Sequence, residues 1–525
     1  MEVKKDWLSG VLKVLLCFSF VYLWVMALVY VKKSYCGIPG AAVFLFAMLL
    51  DGILVWCVWK KKKAKSDKPE NIKKENICLW CASLVLLVVQ FVVIWNAVFR
   101  TAWDPGAVWY GAHFVELGDQ DGINSMAYYF SVYPNNLLLV WIYSIVLKLN
   151  DGIGTPIANG TMLLALFQCI FVTGAGACLY KTVRHFADQK IAWIAYGFYF
   201  ILGGLSAWIM IPYSDSTGII FPIFLFYLFV KIKETESVKK RCMLLFFLFF
   251  FCYVGFEIKP MAAIVVIAIV AVEGIHFAGR LLKKQSVWKK SLLAYCLAAV
   301  LGLEAAAGGV SAVVGSMHFP VVTDTVLGWQ HHMMLGLNKD TNGGYSQADF
   351  DYSTSFSSAE EQHEAELKEI GKRLKDFGVG GYLQHFVKKS ARNYFDGCFG
   401  WGGLGETFYT EIFPERGTVL CSLIRSLYYD NTEDTLYRYQ ALFRQILWYM
   451  VLILVPFSVF TKRPLDKKRQ VAVLSVLGLM LYLQIFEAHA RYLYTFVPIF
   501  VFLATEGIDN LREYLNQKSE RRVKK

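Results

Sequence analysis

Long apolar blocks separated by short, mostly basic connectors dominate the chain. Blocks at 11–30, 82–98, 243–256, 261–272 and 493–505 carry almost no charge. Several approach the roughly 20 residues that cross a bilayer as a helix. The pattern predicts crossings over 8–31, 37–59, 77–98, 242–257, 261–279, 291–316, 441–460, 471–486 and 493–509. Between them lie four further apolar blocks, 135–149, 159–180, 191–210 and 217–231, in a stretch where the charge pattern requires an odd number of crossings. The expectation is three crossings there and about twelve in all. The remaining block would be re-entrant or interfacial, or two blocks would be halves of one span; irregular backbone at membrane depth survives only against protein or a water-filled cavity.

Two segments, 99–133 and 318–440, are too polar for lipid and too long to be mere connectors. In the second, Ser358 with Glu361 forms a capping box. The run after it places Leu367, Ile370, Leu374 and Phe377 on one face of an amphipathic helix. The Gly-rich run DGCFGWGGLGETFY (396–409) follows no strand and reads as chain reversal, not as a phosphate loop. The expected division is an N-terminal hairpin and basic loop (1–75), a membrane core (76–317) that includes the first outer loop, the large outer loop (318–440), and C-terminal helices with a basic tail (441–525).

Composition agrees with the pattern. Of 525 residues, 56% are hydrophobic and 18% charged, against about 45–50% and 25% in soluble chains. A soluble enzyme, a nucleic-acid binder and a disordered scaffold are excluded. The net charge of +12 is an orientation signal. Residues 60–74 hold eight Lys, and 231–241, 280–290 and 461–469 hold five Lys or Arg each. Residues 318–440 carry 11 Lys+Arg against 17 Asp+Glu, a balance of −6. This is the positive-inside pattern, with both termini cytoplasmic and the large loop outside a cell membrane. The expected partners begin with the lipid bilayer and exclude nucleic acid.

Most of the twelve cysteines lie in apolar blocks, as small hydrophobes. Cys78 and Cys81 form a C-x-x-C inside an expected helix, with no second pair to suggest metal. Cys398 and Cys421 sit on the outer loop, and the sequence leaves their pairing open. The 8–31 block is too long for a cleavable signal and is expected to be retained.

The outer face holds the candidate chemistry. Asp104, in W-D-P-G between Trp103 and Trp109, is placed to take a proton from a hydroxyl nucleophile; the alternative is a capped turn. Glu116 follows in the same loop. Tyr133-Pro-Asn135-Asn136 opens an apolar block, where the Asn pair either caps a helix or bonds sugar hydroxyls. Tyr213 and Asp215 belong to a polar hexad, PYSDST, read as turn or binding site. Lys259 and Arg491 are cations on the face where the charge rule disfavours them. They bind an anion such as a lipid phosphate, or pair with Glu257 and Glu487. His331 and His332 are adjacent in WQHHMMLGLN and lack ligand spacing. Glu304, mid-helix beside small residues, is either functional or a packing feature.

In order along the chain, WDPGAVWYGA (103–112), YPNN (133–136), PYSD (212–215), IKP (258–260), HHMMLGLN (331–338) and ARYLYTFVP (490–498) resemble the GT-C superfamily of membrane glycosyltransferases. The nearest relatives by this resemblance are bacterial proteins similar to protein O-mannosyltransferase and aminoarabinose transferase. It implies an all-α polytopic fold, a bundle of about 12 transmembrane helices with short helices in two external loops. It also implies a polyprenyl-phosphate-linked sugar as donor, a glycan, lipid or protein acceptor, and inverting single displacement on the extracytoplasmic face. Asp104 would be the base; Lys259, Arg491 and His331 would hold the phosphate. Tyr133, Asn135, Asn136, Tyr213, Asp215, His332, Asn338 and Tyr492 would line the substrate site. No cofactor is implied, and a divalent metal has no ligand set to support it. The chain departs from the resemblance at Pro105, where many relatives carry a second acid, so that acid would come from Glu116 or elsewhere. The first two helices are also an addition. The competing reading is a secondary transporter or a lipid or polysaccharide flippase, whose sites lie near the midplane in repeated halves; a non-catalytic polymer-assembly partner is the third.

Overall fold

The computed structural model describes residues 6–60, 72–153, 160–283, 290–404, 409–412, 417–429 and 436–523. Most of the Lys-rich 60–74 loop and part of the Gly-rich 396–409 run lie outside the described residues. In chain order, α1 (Trp7–Val29), α2 (Gly40–Lys60) and α3 (Ile72–Ala97) alternate in direction between two ends of a helical bundle. Strand β1 (Phe99–Thr101) leads into α4 (Trp103–Leu117), α5 (Gln120–Ser125), α6 (Ala127–Val132) and α7 (Leu137–Ile153). The bundle resumes with α8 (Gly160–Arg184), α9 (Gln189–Tyr199), α10 (Ser214–Gly218), α11 (Ile220–Glu234), α12 (Val238–Ile258), α13 (Ala263–Leu282) and α14 (Lys290–Gly315). An outer layer follows: α15 (Trp329–Gly336), α16 (Gln347–Ser353), α17 (Ala359–Tyr394), α18 (Trp401–Leu404), β2 (Tyr409–Ile412) and α19 (Val419–Tyr428). Finally come α20 (Tyr437–Leu454), α21 (Lys467–Ile485), α22 (Arg491–Tyr494) and α23 (Val497–Val523).

Ten helices among the described residues are long and apolar enough to cross a membrane. α9 and α23 are not among them. α9 falls short in length because it breaks into a π turn at Phe200–Gly204. α23 begins apolar but turns polar at its C-terminal end. The broken backbone after α9 is satisfied by protein. Gln90 donates to the Gly204 carbonyl at 2.7 Å, Tyr494 to that of Gly203 at 2.9 Å, and Arg444 to those of Leu202 and Leu205, as backbone at this depth requires.

Of the four central blocks, two lie on helices long and apolar enough to cross, Gly160–Arg184 and Ser214–Glu234, and the first, Pro134–Leu149, is shorter. α7 packs along α4, and Gly160, at the start of α8, lies against Leu147 of α7 and Trp109 of α4. α8 therefore starts beside the C-terminal half of α7. It runs to the opposite end, where Arg184 meets Glu75 at the start of α3. This opposite end is basic and closely paired, and three helices that leave it, α1, α9 and α21, are each capped by an aspartate (Asp6, Asp188, Asp466) accepting first-turn amides.

At the loop end the two outer segments meet. β1 pairs antiparallel with β2, Phe99 opposite Ile412 and Arg100 opposite Glu411. Ser358 caps α17 by accepting from the Glu361 amide at 3.3 Å. The apolar face expected on α17 divides: Ile370 and Phe377 pack with Met333, Met334 and Leu337, while Leu367 and Leu374 remain exposed. Asp396 anchors the reversal that follows, accepting from the Cys398 and Gly400 amides and from Tyr35. Cys398 and Cys421 are separate buried thiols. Glu304 is exposed on α14, and Gly308 and Gly309 beside it face open space.

Candidate active site

Asp104 sits in the first turn of α4, where helix amides favour a negative charge. The residue before it, Trp103, has φ +55°, a left-handed backbone costing a bulky L-residue about 1–2 kcal/mol. Gly106 lets this turn close on β1, since a Cβ there would lie 2.6 Å from the Thr101 carbonyl oxygen. Strain of this kind persists where the surroundings over-determine the geometry. Here the surroundings are a ring of hydrogen bonds. Tyr129 donates to Asp104 Oδ1 at 2.9 Å, and Asn136 Nδ2 donates to the Tyr129 oxygen at 2.9 Å. Tyr213 shares its proton between Asn136 Oδ1 at 3.3 Å and Asp104 Oδ2 at 3.5 Å.

The cations arrive from two other parts of the bundle. Lys259, in the break between α12 and α13, donates to Asp215 Oδ1 at 2.6 Å, with both side chains nearly buried. Its ammonium lies 5.0 Å from the Tyr492 ring centre and 6.0 Å from that of Tyr213. Arg491 lies against Tyr492 at 5.6 Å, and Tyr492 in turn donates to Glu487 at 2.8 Å. Three stretches far apart in sequence thus share the rings of Tyr213 and Tyr492.

Burial raises the Asp104 pKa above the ordinary carboxylate value; Arg491, the Tyr129 hydrogen bond and Lys259 pull it back, while Glu487 adds to the rise. Burial lowers Lys259, and Asp215 partly restores it. Arg491, flanked by Asp215 and Glu487, is held even more firmly protonated than usual despite its burial. His489 is driven well below its usual value, first by burial and then by Arg491, Arg392 and Lys259. The carboxyls of Asp104, Asp215 and Glu487, with Lys259, Arg491, His489 and several phenols, therefore line one mouth of the bundle.

The remaining candidates separate. Tyr133 stacks near Tyr129 and Phe350, and its hydroxyl is raised by burial and by Asp104. Asn136 points into the ring, whereas Asn135, one residue earlier, is exposed. The two adjacent histidines diverge, as successive helical side chains must. His332 lies within electrostatic reach of Glu487 and Asp104. His331 turns into the outer layer against Ser353 at 2.7 Å, where burial lowers its pKa to about 3. Asn338 is also in that layer, donating to Asp349 and accepting the Asp340 and Thr341 amides. Glu116 pairs with His113 at 2.9 Å. It is twelve residues from Asp104 on the same helix, about 18 Å along the axis, so α4 keeps the two acids apart.

Three residues at the site were not singled out from sequence as site residues. Tyr129 gave no signal beyond a Tyr-Tyr pair. Glu487 and His489 do, in hindsight, stand out in E-A-H-A-R, a run of titratable groups directly after an apolar helix. Among the described residues, no group of three or more His, Cys, Asp or Glu is arranged to hold a metal ion.

Among solved structures, the chain is similar to the archaeal oligosaccharyltransferase AglB from Archaeoglobus fulgidus in complex with an inhibitory peptide and a dolichol-phosphate. The identity is 12% and the TM-score 0.39, over 83% of this chain and 52% of that one, so the chain spans about half the length of that protein. No curated protein matches the chain. A family model described as "conserved hypothetical integral membrane protein" matches residues 1–510, and the chain belongs to that family of multi-pass membrane proteins.

Proposed function

We propose that this protein is a GT-C-type membrane glycosyltransferase that moves a sugar from a polyprenyl-phosphate donor to an acceptor hydroxyl. The observation that carries the reading is the meeting of Asp104 with Lys259 and Arg491 around Tyr213 and Tyr492 at one mouth of the bundle. Asp104 takes the proton of the acceptor hydroxyl as its oxygen attacks the anomeric carbon. The bond to the lipid phosphate breaks, and the charge left on the phosphate oxygen falls to Lys259 and Arg491. One displacement inverts the anomeric centre. A carboxylate raised above its ordinary pKa is a stronger base for this step, provided the pH keeps it ionised. Asn136, Tyr133, Tyr213, Asp215, His332 and Tyr492 bind substrate or hold the groups that do.

The basic end of the bundle faces the cytoplasm with both termini, following the charge rule, and the site faces outward from a bacterial cell membrane. The acceptor is an envelope glycan, a glycolipid or a protein. A transporter is disfavoured because the charged residues gather at one mouth, while the broken backbone deeper in the bundle is closed off by Gln90, Tyr494 and Arg444.

The test is transfer from polyprenyl-phosphate sugars by the purified full chain, with candidate sugars taken from mass-spectrometric comparison of envelope glycans with and without the protein. Asp104→Asn is expected to reduce transfer by about 10²–10⁴-fold without loss of folded protein. Unchanged transfer in that variant would remove Asp104 as the base.

A further inference from the structure

The turn that delivers Glu487, His489 and Arg491 to the site follows the C-terminus of α21, where a helix leaves carbonyls without partners of their own. In this protein the outer layer supplies the partners. Lys389 of α17, 1% exposed, donates to the carbonyl oxygens of Gln484 at 2.9 Å, Phe486 at 2.7 Å and Gly336 at 2.9 Å. An ammonium has three N–H donors, and all three are used on the ends of two helices, α15 and α21, whose C-terminal dipoles favour a cation. Arg392, one turn on, donates from Nε to the Ala488 carbonyl at 3.0 Å and from Nη1 to that of Thr341 at 3.1 Å. The Ala488 amide donates to the Gly343 carbonyl at 2.7 Å, and Gln484 Nε2 to Ser390 Oγ at 2.9 Å. Gly336, in the HHMMLGLN run, lies so close that a Cβ would fall 2.5 Å from the Ile485 carbonyl oxygen.

We infer that Lys389 and Arg392 are positioning residues of the site: they clamp residues 484–488 from the outer layer and thereby set where Glu487 and Arg491 stand for the lipid phosphate. The inference rests on the reading of Arg491 as a phosphate ligand. A buried ammonium is a costly way to fill this space, and burial brings Lys389 down to about 7; a methionine would occupy a similar volume without that cost. What methionine lacks is the means to fix three carbonyls at once.

Undecaprenyl phosphate serves as the probe, titrated against the full chain in detergent, alongside amide hydrogen exchange. Lys389→Met is expected to weaken probe binding about tenfold, the size of one charge-assisted hydrogen bond. It should also speed exchange over 484–492 while α20 and α23 keep their protection. Lys389→Arg, which retains donors, should recover most of the affinity, a rescue that simple loss of packing would not predict. If Lys389→Met does not fold, Arg392→Gln tests the same turn through the Ala488 carbonyl, with about a threefold loss expected. Wild-type affinity together with unchanged exchange over 484–492 in the folded variant would overturn the clamp. If the wild type itself fails to bind the probe, or Arg491→Gln binds it equally well, the phosphate reading falls instead, and exchange over 484–492 still decides the clamp.

Discussion

The two ends of the bundle use charge in different ways. At the basic end, cations and carboxylates pair directly. Arg184 meets Glu75 at 2.6 Å, Lys467 meets Glu273 at 2.9 Å, Arg469 lies between Asp466 and Glu506, and Arg512 between Asp188 and Asp509. All but the Asp509–Arg512 pair, which lies within α23, join helices or close a cap, so these charges serve the fold. At the loop end Lys259 also pairs directly, with Asp215 at 2.6 Å, but Asp104 and Glu487 accept from the phenols of Tyr129, Tyr213 and Tyr492, with Lys259 and Arg491 stationed against the same rings. A phenol orients a carboxylate and stabilises its charge without cancelling it. A carboxylate held by phenols, as Asp104 is, carries no direct ion pair that would have to break before it takes a proton. The contrast is between carboxylates paired to cations and carboxylates held by phenols within a single chain.

The contrast breaks or holds on what each end loses when a charge is removed. Arg491→Gln is expected to lower sugar transfer by about 10²–10³-fold, the loss typical of one group that stabilises developing charge, with little change in melting temperature in detergent. Glu75→Gln should do the reverse. It leaves Arg184 and Tyr180 facing a neutral amide, which should cost about 2–3 kcal/mol in a mostly buried pair. That loss would read as a lower melting temperature, with transfer by the folded fraction within about twofold of wild type. If Glu75→Gln reduced transfer as much as Arg491→Gln did, the division between the ends would be lost.

How much of this was legible in sequence follows the same division. Long helices announce themselves because lipid demands continuous apolar length, and the basic connectors mark one end through composition alone. The block at 135–149 was ambiguous for a physical reason: an apolar stretch of that length suits a short crossing or a helix lying against α4, and only its packing decides. At the site, Asp104, Tyr213, Lys259 and Arg491 were visible because polar residues beside apolar helices are costly and therefore few. Their partners were not visible. Nothing in the order of residues says that Tyr129 reaches Asp104, or that of two adjacent histidines His332 turns toward the site and His331 toward Ser353. Lys389 looked like one more lysine on an amphipathic helix, and only the three carbonyls around it distinguish it.

Smaller changes sharpen the account of the loop end. Tyr129→Phe removes a donor that stabilises the charged form of Asp104. The sign is then determined. With that hydrogen bond gone the carboxyl holds its proton more tightly, so the acid limb of the pH–rate profile moves to higher pH, and the rate near neutrality falls about tenfold at most. An unmoved limb with a lower rate would mean that Tyr129 positions substrate and does not tune the base.

Glu116→Gln is the mildest test and bears on whether a second acid belongs to the site. Proximity in sequence and the resemblance both nominate it, but twelve residues of continuous helix put it about 18 Å from Asp104, beyond the reach of one reacting hydroxyl. It holds His113, which stacks on Trp109 at 5.1 Å. Its replacement by an amide of the same shape should leave transfer within about twofold of wild type. A loss approaching that of Asp104→Asn would require α4 to bend or unwind between the two acids when substrate binds. That would make the strained turn at Trp103 a hinge, where the geometry now assigns it the task of holding Asp104 still.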